Sequence, residues 1–184
     1  MLLFVLPNMY LIPYYYLTAP RASYSSVFVL ISLTIFAVSG VTETISILVS
    51  PKNSQITAVL YVLIACLLGG TVVSVKDMTG MLDYVSRMMF ARHTVQGLIG
   101  INFVHWNPIW SLAAIPQFLV YRGYVDSSFL ETIRTDSLTT IDQLTNTELD
   151  EMYRDSLWAL VAIGVASRVL GLIGLVGTHR GEQI

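Results

Sequence analysis

Apolar residues run along this chain in four long blocks, and most polar residues lie between those blocks. The blocks cover residues 1–17, 25–49, 56–75 and 157–177. Each is close to the ~20 residues that a helix needs to cross ~30 Å of hydrocarbon, at a rise of ~1.5 Å per residue. Inside hydrocarbon the backbone polar groups must pair within the segment, so the blocks predict four transmembrane helices and an all-α membrane protein.

The N-terminal block has the length of a secretory signal, which is one alternative for it. It lacks a basic start, and Pro7 and Pro13 are followed by three aromatic residues, Tyr14, Tyr15 and Tyr16. This pattern favours a kinked transmembrane helix that ends in an interfacial aromatic belt. A chain that begins almost directly with an apolar block also suggests a longer parent sequence.

A short polar turn, Ser50-Pro51-Lys52-Asn53, separates the second and third blocks. Proline stops a preceding helix and suits the first turn of the next one, and its polar neighbours suit an exposed turn. These residues predict that the two blocks form a helical hairpin.

The segment 78–104 follows the third block without an obvious helix stop and has helical periodicity. The other face of its first part carries Asp83 and Arg87, spaced four apart like a helical ion pair. In a second, shorter apolar stretch, Gly97 and Gly100 permit close helix contact. We expect amphipathic helices that lie at the membrane interface or re-enter it. The apolar face of the first helix is formed by Met78, Met81, Leu82, Val85, Met88 and Met89.

A long acidic loop, residues 105–156, separates this segment from the last block. Within it, Ser128-x-x-Glu131 and Thr147-x-x-Asp150 have the spacing of capping boxes, each followed by apolar residues at helical intervals. Two short amphipathic helices are therefore predicted. They form either a lid or partner surface over the outer mouth, or a solvated cap that packs on its own apolar stripe.

Composition agrees with a membrane location and with one helical domain. The 184 residues are 54% hydrophobic and 12% charged, with a mean hydropathy of +0.67, whereas ordinary soluble domains are about 25% charged. A formal net charge of -2 argues against a nucleic-acid-binding surface. The single cysteine, Cys66, lies in the third block, so an internal disulfide is impossible.

Two ionisable residues inside the apolar blocks, Glu43 and Arg168, are candidates for function. An ionised group near the middle of a span costs ~2.5–3.5 kcal/mol even on lenient insertion scales, so Arg168 should face protein or water. Glu43 is the intramembrane carboxylate available to pair with it. Two interpretations remain open: a charge that lines or gates a route, or a structural pair or snorkelling side chain.

The sequence lacks the common catalytic patterns. It has no G-x-x-x-x-G-K-[ST] phosphate loop and no G-x-S-x-G elbow. His93, His105 and His179 lack the spacing of a metal site. We therefore expect no catalytic residue, cofactor site or metal site in this chain.

Several stretches together resemble one known family. From Gly69 to Phe103 the sequence reads GGTVVSVKDMTGMLDYVSRMMFARHTVQGLIGINF. Upstream lie the tyrosine cluster and SGVTETISILVSPKN, and downstream lie FLVYRGY (118–124) and LWALVAIGVASRVLGLIGL (157–175). These stretches are similar to the last four membrane helices of the G-type (White-like) subfamily of ATP-binding-cassette transporters, and the resemblance covers nearly the whole chain.

The resemblance implies an ABC-2-type membrane domain of an ATP-driven exporter or flippase of lipids, sterols or hydrophobic compounds. ATP and Mg²⁺ would bind a nucleotide-binding domain that residues 1–184 do not contain, on the same longer polypeptide or on another chain. It also implies a homo- or heterodimer, contact with membrane lipids, and a multi-pass location in the plasma membrane or an internal membrane. The alternative is a non-transporting membrane scaffold or a truncated, non-functional remnant.

The resemblance assigns a plug to the end of the third block. In the family a bulky pair after a glycine closes the translocation path. Gly70, Thr71 and Val72 occupy those places here. We therefore expect a smaller and partly polar plug that seals less well.

The resemblance also identifies a re-entrant segment, which here carries Arg92, His93, Gln96 and Asn102. Gln96 and Asn102 stand where the family usually has glutamates. Any proton or hydrogen-bond role that those carboxylates serve is therefore in doubt for this chain.

Family topology places the Lys52 turn and the C-terminal tail in the cytoplasm, and the long loop outside. Arg21, Lys76, Arg87 and Arg92 lie near span ends on the other side, which opposes this orientation under the positive-inside rule. Because two of these residues lie on interfacial helices inside a long loop, where the rule is weak, we follow the resemblance.

Overall fold

The computed structural model describes residues 2–18, 20, 22–70, 73–78, 80–106, 114–124 and 138–181. These residues fold into α-helices joined by turns, and no β-strand occurs among them. This architecture confirms the predicted all-α fold. The helices are α1 (Leu2–Thr18), α2 (Tyr24–Leu48), α3 (Pro51–Leu67), α4 (Met81–Met88), α5 (Phe90–Trp106), α6 (Ala114–Arg122) and α7 (Leu138–Gly181).

Among the described residues, two helical stretches are long and apolar enough to cross a membrane: α2, and Asn146–Gly177 within α7. α1 and α3 have 17 residues each. Such a helix is roughly 26 Å long, slightly less than the ~30 Å of a typical hydrocarbon core. Length and composition thus support two of the four predicted spans, and α1 and α3 remain predicted spans.

α2, α5 and α7 form the centre of the molecule, with α1 packed against α2 and α3 packed against α2 and α5. α2 and α7 run parallel. Near one end Tyr153 Oη donates to Ser26 O, and near the other Thr44 Oγ1 donates to Ser167 O. The buried apolar residues of this centre include Val27, Leu30, Ala37, Ile101 and Leu160.

Two glycines bring α5 close to both neighbours. A Cβ on Gly97 would lie 2.6 Å from a methyl group of Leu30 on α2. A Cβ on Gly100 would lie 2.9 Å from the carbonyl oxygen of Leu149 on α7. Non-bonded carbons normally stay about 3.5 Å or more apart, so a larger residue would push these helices away from each other. The close helix contact expected from the glycines is confirmed.

The third helix is shorter than the predicted block, which ran to residue 75. Pro51 opens α3 as expected for a hairpin turn, but the helix ends at Leu67. Gly70 has a φ of +86°, a left-handed conformation that interrupts a helix and that glycine adopts without strain. A 3-10 turn, Val75–Asp77, follows. The expected end of the third block at residue 75, and the expected lack of a helix stop after it, were therefore wrong.

The amphipathic helix predicted after residue 78 is present as α4, over a shorter range. Met78 precedes the helix in an extended conformation, and Met89 ends it with a ψ of 129°. Asp83 and Arg87 form the expected ion pair, with 2.8 Å between Nη2 and Oδ2. The exposed apolar face of α4 consists of Met81, Leu82, Val85 and Met88.

The predicted loop of residues 105–156 contains more helix than expected. α6 lies inside it, and α7 already begins at Leu138. Thr147 and Asp150 lie inside α7 and do not start a helix, so this capping-box prediction was wrong. Because no glycine or proline occurs between Leu138 and Gly164, a helix formed there propagates into the apolar block. The other predicted box, Ser128-x-x-Glu131, lies outside the described residues.

Candidate functional site

α2 and α7 approach each other most closely where small residues face one another. A Cβ on Gly40 would lie 2.4 Å from Ser167 Oγ and 3.1 Å from Gly164 O. A Cβ on Gly164 would lie 2.4 Å from a ring carbon of Phe36. These glycines let the two backbones pack at short range, as small residues do between membrane helices.

Hydroxyl groups at this contact bond to backbone carbonyls. Thr44 Oγ1 lies 2.6 Å from Ser167 O on α7 and 2.9 Å from Gly40 O on its own helix. Ser167 Oγ donates to Gly164 O at 3.0 Å. These hydroxyls are satisfied without water, and the bond from Thr44 joins the two helices directly.

Arg168 is the charged residue of this contact. Its Nη1 donates to Phe36 O at 3.0 Å and to Gly164 O at 3.2 Å, and its Nη2 donates to Ser39 Oγ at 2.9 Å. The guanidinium carbon lies 3.9 Å from the centroid of the Phe36 ring, within range of cation–π attraction. Arg168 is therefore held mainly by uncharged groups. We call this contact the α2–α7 seam: Phe36, Ser39, Gly40, Thr44, Gly164, Ser167 and Arg168.

Glu43, the partner predicted for Arg168, lies beside it but at a long distance. Arg168 Nε is 4.0 Å from Glu43 Oε2, which is the limit for an ion pair and too long for a hydrogen bond. The side chain of Glu43 is 62% exposed and that of Arg168 is 30% exposed. The structure brings together the two residues that the sequence paired, and a role in lining or gating a route stays a prediction.

A cavity of about 220 Å³ opens beside this pair, between α2 and α7. Glu43, Thr44 and Arg168 form its polar end. Gly171 lets α7 pack closely on α2 at this point, since a Cβ there would lie 3.2 Å from Thr44 Oγ1. We call this cavity the seam notch; the rest of its wall is formed by Ile47, Gly171, Leu172 and Leu175.

A second polar cluster joins the end of α3, α4 and the start of α5. Arg92 is buried, and its Nη1 donates to Asp83 Oδ1 at 2.7 Å and to Ser86 Oγ at 3.3 Å. Ser86 Oγ donates to Leu68 O at 2.8 Å. Hydrogen bonds from Arg92 and then Arg87 hold the pKa of the Asp83 carboxyl below its usual value. This cluster ties the amphipathic helix to the turn that follows α3.

The other residues predicted for the re-entrant segment lie on α5. His93 Nε2 is 2.8 Å from Arg87 O. Asn102 Nδ2 donates to Leu98 O on its own helix at 2.8 Å. The structure brings His93 and Gln96 together in the wall of a cavity of about 440 Å³, and Asn102 does not line that cavity. The carboxylates that face them from α7 belong to Glu148, Glu151 and Asp155.

Gly70 lies in a tight corner that the sequence did not reveal. A Cβ on Gly70 would lie 2.8 Å from Tyr124 Oη and 3.0 Å from a methyl group of Val75. Thr71 and Val72, which the plug prediction includes, lie outside the described residues. The plug therefore stays a prediction. Tyr124 lies beside Gly70 and was not predicted from the sequence to do so.

Tyr124 reaches this corner because α6 ends in a Schellman motif. Gly123 has a φ of +79°, its N–H donates to Val120 O at 3.1 Å, and Tyr124 N donates to Leu119 O at 2.9 Å. The same glycine lies against the backbone of Lys76, where a Cβ would be 2.7 Å from the nitrogen. The sequence signal was the Arg-Gly-Tyr run after an apolar stretch, which is typical of a glycine that caps a helix.

The sequence was compared with models of known protein families. A family model described as ABC-2 type transporter matches residues 2–141. The chain belongs to the ABC-2 type transporter family. The match includes α1 to α6 and the first residues of α7, while Arg168 lies beyond it. Comparisons of this ABC-2 type chain with curated proteins and with solved structures find no match.

An ABC-2 type membrane domain is a membrane component of a transporter, and such domains generally act with ATPase domains. In both polar clusters of this ABC-2 type chain, side chains of one helix bond to another segment: Arg168 bonds to α2, and Ser86 bonds to Leu68 O. Among the residues that the structure describes, no group of three or more His, Cys, Asp or Glu is placed to hold a metal ion.

Proposed function

We propose that this chain is the C-terminal part of the membrane domain of a G-type ATP-binding-cassette transporter that exports or flips lipids, sterols or other hydrophobic compounds. The observation that carries the proposal is the ABC-2 type match over residues 2–141. The stretch 69–103, which resembles the G-type subfamily, supports the narrower assignment. ATP and Mg²⁺ then act on a nucleotide-binding domain outside residues 1–184.

The exposed surface of α3 supports a dimer of membrane domains. Its apolar residues recur every three or four positions, so they form one continuous stripe. A second membrane domain is the partner that we expect to cover this stripe, and α3 is then the helix that borders a shared path. The stripe consists of Ile56, Val59, Leu60, Leu63, Ile64 and Leu67, each about half exposed or more.

The turn at Gly70 joins the end of α3 to two neighbouring segments, α4 and the residue that follows α6, so that a movement of α3 also displaces them. Tyr124, which follows α6, lies against this turn. The carbonyl group of Leu68, the residue after α3, also accepts a hydrogen bond from the hydroxyl of Ser86 on α4. A displacement of α3 therefore acts on both segments at once. Because Thr71 and Val72 follow directly, we expect this turn to close the outer end of the path.

The exposed apolar face of α4 supports contact with membrane lipids. Its opposite side carries the Asp83–Arg87 ion pair, so the short helix has one apolar and one charged face. Helices with two such faces lie in the plane of the membrane interface. There, α4 would hold the end of α3 at the level of the membrane surface.

The proposal is tested on the complex that contains this chain, purified in mild detergent through an affinity tag and reconstituted into liposomes. We expect ATPase activity in the complex and ATP-dependent transfer of a fluorescent phospholipid or a fluorescent sterol between leaflets. An assembly without ATPase activity and without ATP-dependent transfer would favour the non-transporting scaffold.

Two glycine variants separate a role in transport from a role in assembly. Gly70→Leu places a large side chain at a left-handed φ and against Tyr124. It should lower ATP-dependent transfer roughly tenfold, equivalent to about 1.4 kcal/mol, while the complex still assembles. In the control Gly177→Leu, the added Cβ meets nothing within 4 Å, so transfer should be unchanged. Equal transfer in both variants contradicts the role given to the Gly70 turn.

A further inference from the structure

Two methionines lie at the centre of the exposed apolar face of α4. Met81 is 84% exposed and Met88 is 75% exposed. They are seven residues apart, so their directions around the helix differ by about 20° and they lie roughly 10.5 Å apart along it. Leu82 and Val85 adjoin them on the same face. The two thioethers therefore form the middle of one continuous apolar surface.

The interfacial position that the proposed function gives to α4 places both thioethers at the polar edge of the bilayer. A helix of this kind buries its apolar face about 5–10 Å into the boundary between headgroups and acyl chains. The other side of α4 is held by the protein, because Ser86 Oγ donates to Leu68 O and Arg92 donates to Asp83. The methionine face is thus the side of α4 whose contacts depend on lipid.

A thioether at this depth meets the hydroperoxides that form on oxidised acyl chains. A hydroperoxide group is polar and therefore lies near the edge of the hydrocarbon, since burying it without a hydrogen bond costs free energy. The sulfur attacks the terminal oxygen, the O–O bond breaks as an S–O bond forms, and the terminal proton passes to the oxygen that stays on the lipid. The sulfur loses two electrons and becomes a sulfoxide, while the hydroperoxide gains them and becomes an alcohol.

We propose that Met81 and Met88 are an oxidation site for lipid hydroperoxides, and that their conversion to sulfoxides withdraws α4 from the bilayer. A sulfoxide is polar whereas the thioether is apolar, so the centre of the face loses its affinity for acyl chains. Because Ser86 joins α4 to the carbonyl group of Leu68, the withdrawal displaces the turn after α3. Methionine sulfoxide reductases reverse the change. The inference rests on the interfacial position of α4 in the proposed function, and it does not depend on transport.

Peptide mapping tests the oxidation site. The complex that contains this chain is reconstituted into liposomes with or without phosphatidylcholine hydroperoxide and then digested with trypsin. The tryptic peptides 77–87 and 88–92 each contain one exposed and one covered methionine. We expect the exposed one to gain an oxygen roughly tenfold faster than the covered one. The exposed pair is Met81 and Met88; the covered pair is Met78, which is 6% exposed, and Met89, which packs partly buried against the core.

Two results would overturn the oxidation site. One is equal oxidation of both methionines in either peptide, because exposure on α4 then has no effect. The other is the absence of oxidation by phosphatidylcholine hydroperoxide; if aqueous hydrogen peroxide still oxidises the exposed pair in parallel liposomes, α4 faces water instead of lipid. Peptide mapping does not measure ATP-dependent transfer, so failure of this site and failure of the proposed transport function are seen separately.

Matched substitutions test the withdrawal of α4. Met81→Leu with Met88→Leu keeps the face apolar and resists oxidation, whereas Met81→Gln with Met88→Gln imitates the polar product. After hydroperoxide treatment, amide hydrogen exchange of α4 should be roughly tenfold faster in the native complex and unchanged in the leucine variant. The glutamine variant should exchange fast without treatment. Equal exchange in the treated native and leucine complexes overturns the withdrawal, and these two complexes decide the matter if the glutamine variant does not assemble.

Discussion

The α2–α7 seam and the surface of α3 are both built from apolar helices, yet they meet their surroundings in opposite ways. At the seam, glycines bring two backbones together, and the polar groups of Thr44, Ser167 and Arg168 bond within the chain. Along α3, a stripe of large apolar residues faces outward. The stability of the seam is therefore internal to this chain, whereas the environment of α3 depends on lipid or on a partner.

Filling the seam should have the largest effect of any single substitution. In Gly40→Leu the new Cβ would lie 2.4 Å from Ser167 Oγ and 3.1 Å from the backbone oxygen of Gly164, so α2 and α7 must separate. We expect a loss of about 3 kcal/mol in unfolding free energy, at the upper end of overpacking effects. Unfolding in mixed detergent micelles measures it. The control Gly177→Leu adds the same side chain in open space and should change little.

A matched pair of leucines compares the two regions directly. Leu160 on α7 is fully buried, whereas Leu60 on α3 is 53% exposed. Leu160→Ala leaves a cavity and should cost about 2.5 kcal/mol, while Leu60→Ala should cost less than about 1 kcal/mol because its surroundings can close over the missing atoms. Similar losses in both variants, measured by the same unfolding assay, would show that α3 is packed as tightly as the seam.

The parts of this fold that depend on local sequence were predictable. Long apolar blocks give α1, α2, α3 and the membrane part of α7, and the Asp83–Arg87 spacing gives the amphipathic helix α4. The end of α3 was predicted wrongly. It is determined by the left-handed turn at Gly70, which contacts Tyr124, a residue distant in sequence. The start of α7 was also predicted wrongly. The local capping signal at Thr147 lies within a stretch, from Leu138 to Gly164, in which no glycine or proline interrupts a helix before Gly164.

The candidate site shows the same division between what is local and what is not. Opposite charge predicted Glu43 as the neighbour of Arg168, and the two are adjacent. The stronger partners, Phe36 O and Ser39 Oγ, were not predicted. Every residue has a backbone carbonyl, so the sequence does not show which carbonyl accepts a hydrogen bond from a side chain. That is determined by how the two helices pack against each other.

Separate replacement of Arg168 in the seam and of Glu43 beside it should show which of the two contacts contributes more. Arg168→Leu removes three hydrogen bonds and the contact with the Phe36 ring. At about 0.6 kcal/mol for each polar contact in a membrane protein, we expect a loss of roughly 2 kcal/mol in unfolding free energy. Glu43→Gln, at 4.0 Å from Arg168, should cost much less. Equal losses in the two variants would mean that the ion pair dominates.

The polar cluster of α4 should give the smallest effect, and acid should reveal it. Because Arg92 and Arg87 lower the pKa of Asp83 in the folded chain, ionised Asp83 stabilises the attachment of α4 above the ordinary carboxyl pKa, near about 4. That contribution is lost as the pH falls through the lowered pKa. Once corrected for its intrinsic pH dependence, amide hydrogen exchange of α4 should therefore be constant from about pH 6 to pH 5 and become faster as the pH falls below the ordinary carboxyl pKa. In Asp83→Asn this acid step should vanish; if it persists, another group is responsible for it.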